Sequence, residues 1–90
     1  MESGFFNRQA VRSMRKLSLV QMGVKQKGKI VDVLGGKALQ HRFMTMGIYE
    51  GREVVKLSHF ILRGPIAMRV GRSVLALGYG MASKIIVGVE

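Results

Sequence analysis

The chain has 90 residues and a formal net charge of +10, from 15 Lys and Arg against 5 Asp and Glu. That length allows one domain with a small core, burying about 60–65% of the unfolded surface, and little room for a deep, closed active site. The absence of Cys excludes a disulfide scaffold, a Cys-ligated zinc site and a Cys nucleophile, while 48% hydrophobic residues argue against full-length disorder. The charge calls for an anionic partner: nucleic acid, a membrane face or an acidic protein.

Residues 1–17 read as a basic arm. Phe6, Ala10, Met14 and Leu17 recur at helical spacing, with Arg8, Arg12, Arg15 and Lys16 mostly elsewhere on the wheel. Such a helix suits a membrane surface, with Phe5 and Phe6 as its apolar contacts. No apolar run approaches a membrane span, and the start lacks the apolar segment of a secretory signal. The expected location is therefore the cytoplasm, with the arm able to hold the protein at the inner membrane face.

The folded domain is expected over residues 18–90. Lys27-Gly28 reads as a turn, followed by a strand through Lys29, Ile30, Val31, Asp32, Val33 and Leu34. Gly35-Gly36 ends that strand, and Gly36 marks the start of a helix over Lys37–Met46. Leu39, Phe43 and Met46 share one face of that helix, and Gly47 stands where a left-handed cap is expected. Met22, Met44, Met46 and Met68 read as core or near-core packing residues.

Gly51 closes a turn, and Glu53–Ile61 reads as a strand. Gly64-Pro65 breaks that run and places Pro65 at the next strand start. Ile66, Met68 and Val70 alternate with Ala67 and Arg69, giving a strand with one buried face. Gly71-Arg72 suits a two-residue hairpin turn into Ser73–Leu77. Gly78-Tyr79-Gly80 reads as a loop, Met81–Lys84 as one helical turn, and Ile85–Val89 as a final strand. The fold class is mainly β with one short core helix. Closure into a small SH3-like barrel protects the edges of so small a sheet.

From Gly28 to Val89 the text runs G-K-I-V-D-V, then G-G, then L-x-x-R-F-x-x-M-G-I-x-x-G, then G-P-I-A-M-R-V, V-L-A-L and A-x-x-I-x-V. This resembles the FeoA family, the small companions of the bacterial ferrous iron transporter FeoB. Its most specific piece is Arg42–Gly51, which joins helix, cap and turn in the family's order. Two features depart from the family. Gly78-Tyr79-Gly80-Met81-Ala82 is less charged than the usual segment, and the N-terminal arm is longer.

The resemblance implies a non-catalytic accessory protein of ferrous iron uptake that binds the cytosolic GTPase region of a FeoB-type permease. The residues offered for that contact are Leu39, His41 and Arg42 on the helix and Arg63 before Gly64-Pro65, a mixture suited to an acidic, partly apolar surface. Self-association is a further option. The alternative is a small basic barrel binding nucleic acid. Against it, the basic residues are scattered and the aromatics are not interleaved with them.

No enzyme is expected. The acids Glu2, Asp32, Glu50, Glu53 and Glu90 offer no paired carboxylates on a helix face, and His41 and His59 lack ligand spacing. Gly35-Gly36-Lys37 is only a fragment of a phosphate loop. No cofactor or metal is implied by these residues.

Overall fold

The computed structural model describes residues 14–60 and 62–90. Six strands form one antiparallel sheet: β1 (Arg15–Ser18), β2 (Lys27–Val33), β3 (Glu53–His59), β4 (Ile66–Val70), β5 (Ser73–Leu77) and β6 (Ile85–Val89). Their order across the sheet is β1-β6-β2-β3-β4-β5. Helix α1 (Lys37–Thr45) joins β2 to β3, and the short α2 (Tyr79–Ala82) joins β5 to β6. A 3-10 turn, Leu19–Gln21, follows β1. The architecture is the mainly β, SH3-like fold expected from the element order, but the expected closure is corrected: among the described residues β5 and β1 do not pair, and they form the two edges of the sheet. Register shifts between Ile30 and Asp32 in β2 and between Lys56 and Ser58 in β3 help the sheet to bend around its core.

Alternation builds that core. Ile66, Met68 and Val70 of β4 are buried, as are Ile85 and Val87 of β6 and Val54 of β3. Phe43 brings α1 onto the same cluster, with Leu39 and Met46 half-buried beside it. Helix α1 ends as the sequence predicts. Gly47 adopts φ 86°, its amide donates to Met44 O at 3.0 Å, and the Ile48 amide donates to Phe43 O at 2.9 Å. This is the paired bonding of a Schellman cap, sealed by contact of the buried Ile48 and Phe43 within the core.

Gly28 has a different reason to be glycine. It lies within β2, where β2 crosses β6. A Cβ there would fall 2.6 Å from the Gly88 carbonyl oxygen and collide with the Val87 side chain. Only a residue without a side chain lets the two backbones approach this closely.

Several expectations are corrected. Lys27-Gly28 is strand, not turn. The turn lies earlier, where Gln26 N donates to Gly23 O at 3.0 Å and Lys25 takes φ 71°. Arg15, Lys16 and Leu17 belong to β1, paired with β6, and not to a helix. Pairing supplied by β6 overrides the weak helical periodicity there. The helical expectation for residues 1–13, including Phe5 and Phe6, lies outside the described residues, as does Ile61. β3 ends at His59. Tyr79 and Gly80 are helical rather than loop, because Gly78 is already the N-cap of α2. Met44 is 58% exposed and lies outside the core.

Candidate partner-binding surface

Helix α1 carries three of the four residues offered for partner contact. Gly36 is its N-cap, in an extended conformation and without a side-chain cap. The Gln40 side-chain amide donates to Val33 O at 3.1 Å and Gly35 O at 3.3 Å, which pins the helix to the end of β2 without capping its N–H groups. Leu39 turns inward and is half-buried beside Gly35, while His41 and Arg42 are exposed. Arg42 lies in the last turn, where a cation complements the helix dipole.

Arg63 is placed elsewhere. It lies in the β3–β4 loop, with its guanidinium carbon 5.6 Å from the Tyr79 ring centroid. The structure thus groups Leu39, His41 and Arg42 on α1 and assigns Arg63 to the neighbourhood of α2. Of the glycines and proline singled out as turns and caps, Gly51 and Gly71 take φ 91° and 59°. Gly64 lies in the β3–β4 connection, with Pro65 directly before β4.

A groove of about 220 Å³ runs beside α1, lined by Asp32, Gln40, Met44, Tyr49 and Glu50 among others. Met44 and Tyr49 give it exposed apolar surface, and Asp32 and Glu50 give it negative charge. The Tyr49 hydroxyl accepts a hydrogen bond from Arg52 Nη1 at 2.6 Å. Sequence reading passed over this groove because its residues are scattered between positions 32 and 50.

The second feature missed was Lys56. It is 1% exposed, on the inner face of β3. Its ammonium donates to Val20 O at 3.0 Å, Met22 O at 2.7 Å and His59 Nδ1 at 3.0 Å. With Nδ1 accepting, the His59 ring is the Nε2–H tautomer, and Nε2 donates to Leu62 O at 3.3 Å. Burial pushes the Lys56 pKa below its ordinary 10.5. This network ties the 3-10 turn to β3 and to the β3–β4 loop. Its groups have hydrogen-bond partners and do not point into a substrate cleft.

Charge is distributed unevenly over the fold. From Val54 to Val89 there are five cations (Lys56, Arg63, Arg69, Arg72 and Lys84) and no Asp or Glu. Four of these are exposed, Arg63, Arg69 and Arg72 on and beside the β4–β5 hairpin and Lys84 before β6, while Lys56 is buried. Among the described residues, no three His, Asp or Glu side chains gather closely enough to hold a metal ion. No helix among them is long and apolar enough to cross a membrane.

Comparison with known proteins follows the same outline. The FeoA domain family model matches residues 17–89. A crystal structure of an iron uptake regulatory protein, FeoA, is 33% identical, with a TM-score of 0.74 over 82% of this chain and 97% of that one. A FeoA-like protein from Clostridium acetobutylicum is 27% identical, with a TM-score of 0.73 over 83% of this chain and 87% of its own. FeoA of Stenotrophomonas maltophilia, solved with zinc and described as a procaryotic SH3 domain protein, shares the fold at 20% identity and a TM-score of 0.68, over 79% of this chain and 88% of its own. No curated protein matches this chain. The family match takes in all but the first two residues of β1 and every later element of the described fold, and the chain belongs to the FeoA family.

Proposed function

We propose that this chain is a non-catalytic cytosolic accessory protein of bacterial ferrous iron uptake, and that it binds the cytosolic GTPase region of a FeoB-type permease. The observation that carries this reading is the FeoA match from residue 17 to residue 89, which puts the chain in one family with a protein described as an iron uptake regulatory protein. The Stenotrophomonas relative is described as a candidate ferrous iron transport activating factor, which supports the same role. A basic domain with an exposed helix face suits docking on an acidic protein.

The α1 face supplies a contact of mixed character, from Leu39, His41 and Arg42, with Arg63 contributing from the side of α2. The test is binding of the purified chain to the isolated GTPase region of the FeoB-type permease, after nuclease treatment and at moderate salt. Saturable binding is expected. Leu39→Asp and Arg42→Glu should abolish it; the melting temperature should stay nearly unchanged for the exposed Arg42 and fall for Leu39→Asp, because Leu39 packs against the core. Absence of binding by the unsubstituted chain would remove the permease as partner. Normal binding by both variants would move the contact off α1.

A further inference from the structure

The β4–β5 hairpin turns through Gly71-Arg72, with Val70 opposite Ser73. In a two-residue hairpin the flanking pair exchanges both main-chain hydrogen bonds, and this recurs at every second residue along the ladder. Ser73, Leu75 and Leu77 therefore bond to β4, and the main-chain N–H and C=O groups of Val74 and Ala76 point away from it. β5 ends the sheet. Among the described residues, no backbone bond reaches Val74 or Ala76 from another element.

Native proteins blunt such edges with charge, proline, bulges or a covering segment. β5 has no such device among the described residues. Its sequence SVLAL carries neither charge nor proline, and its register with β4 is unbroken. Val74 is 60% exposed, and Ala76 is exposed beside it.

We propose that β5 is a docking edge for an extended acidic segment of a partner protein, which adds to the sheet as a further strand. Main-chain bonds to Val74 and Ala76 supply the affinity of such strand addition, and neighbouring side chains supply its preference. Here the neighbours are cationic. Arg69 stands directly across from Val74 on the same face, and Arg72 occupies the turn. With strands about 4.8 Å apart, a carboxylate opposite Val74 on the added strand comes within reach of the long Arg69 side chain. The same positive charge disfavours a second copy of this chain as the occupant. The inference rests on the proposed role as a partner-binding module and names the edge that receives part of the partner.

The experiment uses the full chain, 15N-labelled, at about 150 mM salt. The probes are two peptides of roughly ten residues alternating Glu and Val, the second N-methylated at every residue so that both of its edges are blocked. Both carry the same charge, and only the first can complete a ladder. The first should shift the Val74 and Ala76 amides and bind about tenfold more tightly than the second. Ala76→Pro removes an outward N–H without touching the β4 ladder, so it should fold normally and lose about tenfold in affinity. Equal binding of the two peptides, shifts centred on α1, or β5 shifts produced by raising the protein concentration alone would overturn the proposal. Binding of the GTPase region with β5 untouched would overturn it too, while leaving the proposed partner in place.

Discussion

The sheet has two edges, and they are built differently. β1 is four residues long, and Arg15 and Lys16 stand exposed on it. β5 is five residues of uncharged, mostly apolar sequence, with Val74 and Ala76 facing solvent. Long charged side chains at β1 resist pairing with another chain, because adding a strand would crowd or desolvate them. β5 invites such pairing. Among the described residues one edge is guarded by charge and the other is uncovered, and the exposed Arg69 and Arg72 beside the uncovered edge are what favour the acidic occupant proposed above.

The contrast sharpens when β5 is set beside β6. Both are five-residue uncharged strands. β6 lies between β1 and β2, and its side chains are buried apart from the half-buried Ile86. A large effect is expected where β2 crosses it. Gly28→Ala should cost about 3 kcal/mol or more by chemical denaturation, because the new methyl group meets the Gly88 backbone as well as a movable side chain. A loss below about 1 kcal/mol would show that the crossing is looser than the geometry requires.

Within the strands, Ile85→Ala in β6 should cost about 2–5 kcal/mol through the cavity it leaves. Val74→Ala in β5 should cost less than about 0.5 kcal/mol, since its side chain is already in water. Comparable losses at the two positions would break the distinction between a buried strand and an open edge.

Lys56 gives a smaller and pH-dependent effect. Its pKa is lower in the folded protein than in the unfolded chain, so the unfolded chain binds more protons between the two values. The Lys56 contribution to stability should therefore rise as pH climbs toward 10.5. Lys56→Met should abolish this rise, seen as a flatter urea midpoint against pH. At neutral pH it should cost about 1–3 kcal/mol, because the Val20 and Met22 carbonyls lose their donor. An unchanged pH profile would mean that the buried ammonium contributes nothing to the balance.

Much of this fold is legible along the chain. The run Phe43–Ile48 announces both the end of α1 and its cap, and Ile66–Val70 announces a strand with one buried face. These signals are local: a glycine at positive φ and a period of two. Lys56 shows where local reading fails. Polar residues in strands are ordinarily placed outside, and only the folded chain brings two carbonyls and an imidazole around this one. β1 was hidden because four residues, RKLS, carry no alternation of their own. Gly28 looked like a turn because close backbone approach and turn formation select the same residue.

For the candidate site, the family signature was readable in Arg42–Gly51, while the open edge was not. Nothing in SVLAL tells whether one neighbour or two lie alongside, since the same pattern fits both a central and an edge strand. Pairing order is a property of the whole sheet.

Amide hydrogen exchange tests the account most directly, with the chain measured alone and then with the GTPase region of a FeoB-type permease. Alone, the Val74 and Ala76 amides should exchange rapidly and the β6 amides slowly. With the partner, protection should rise at Val74 and Ala76 while β6 stays as it was. Slow exchange at Val74 and Ala76 before the partner is added, or unchanged exchange throughout the chain after it is added, would contradict the account.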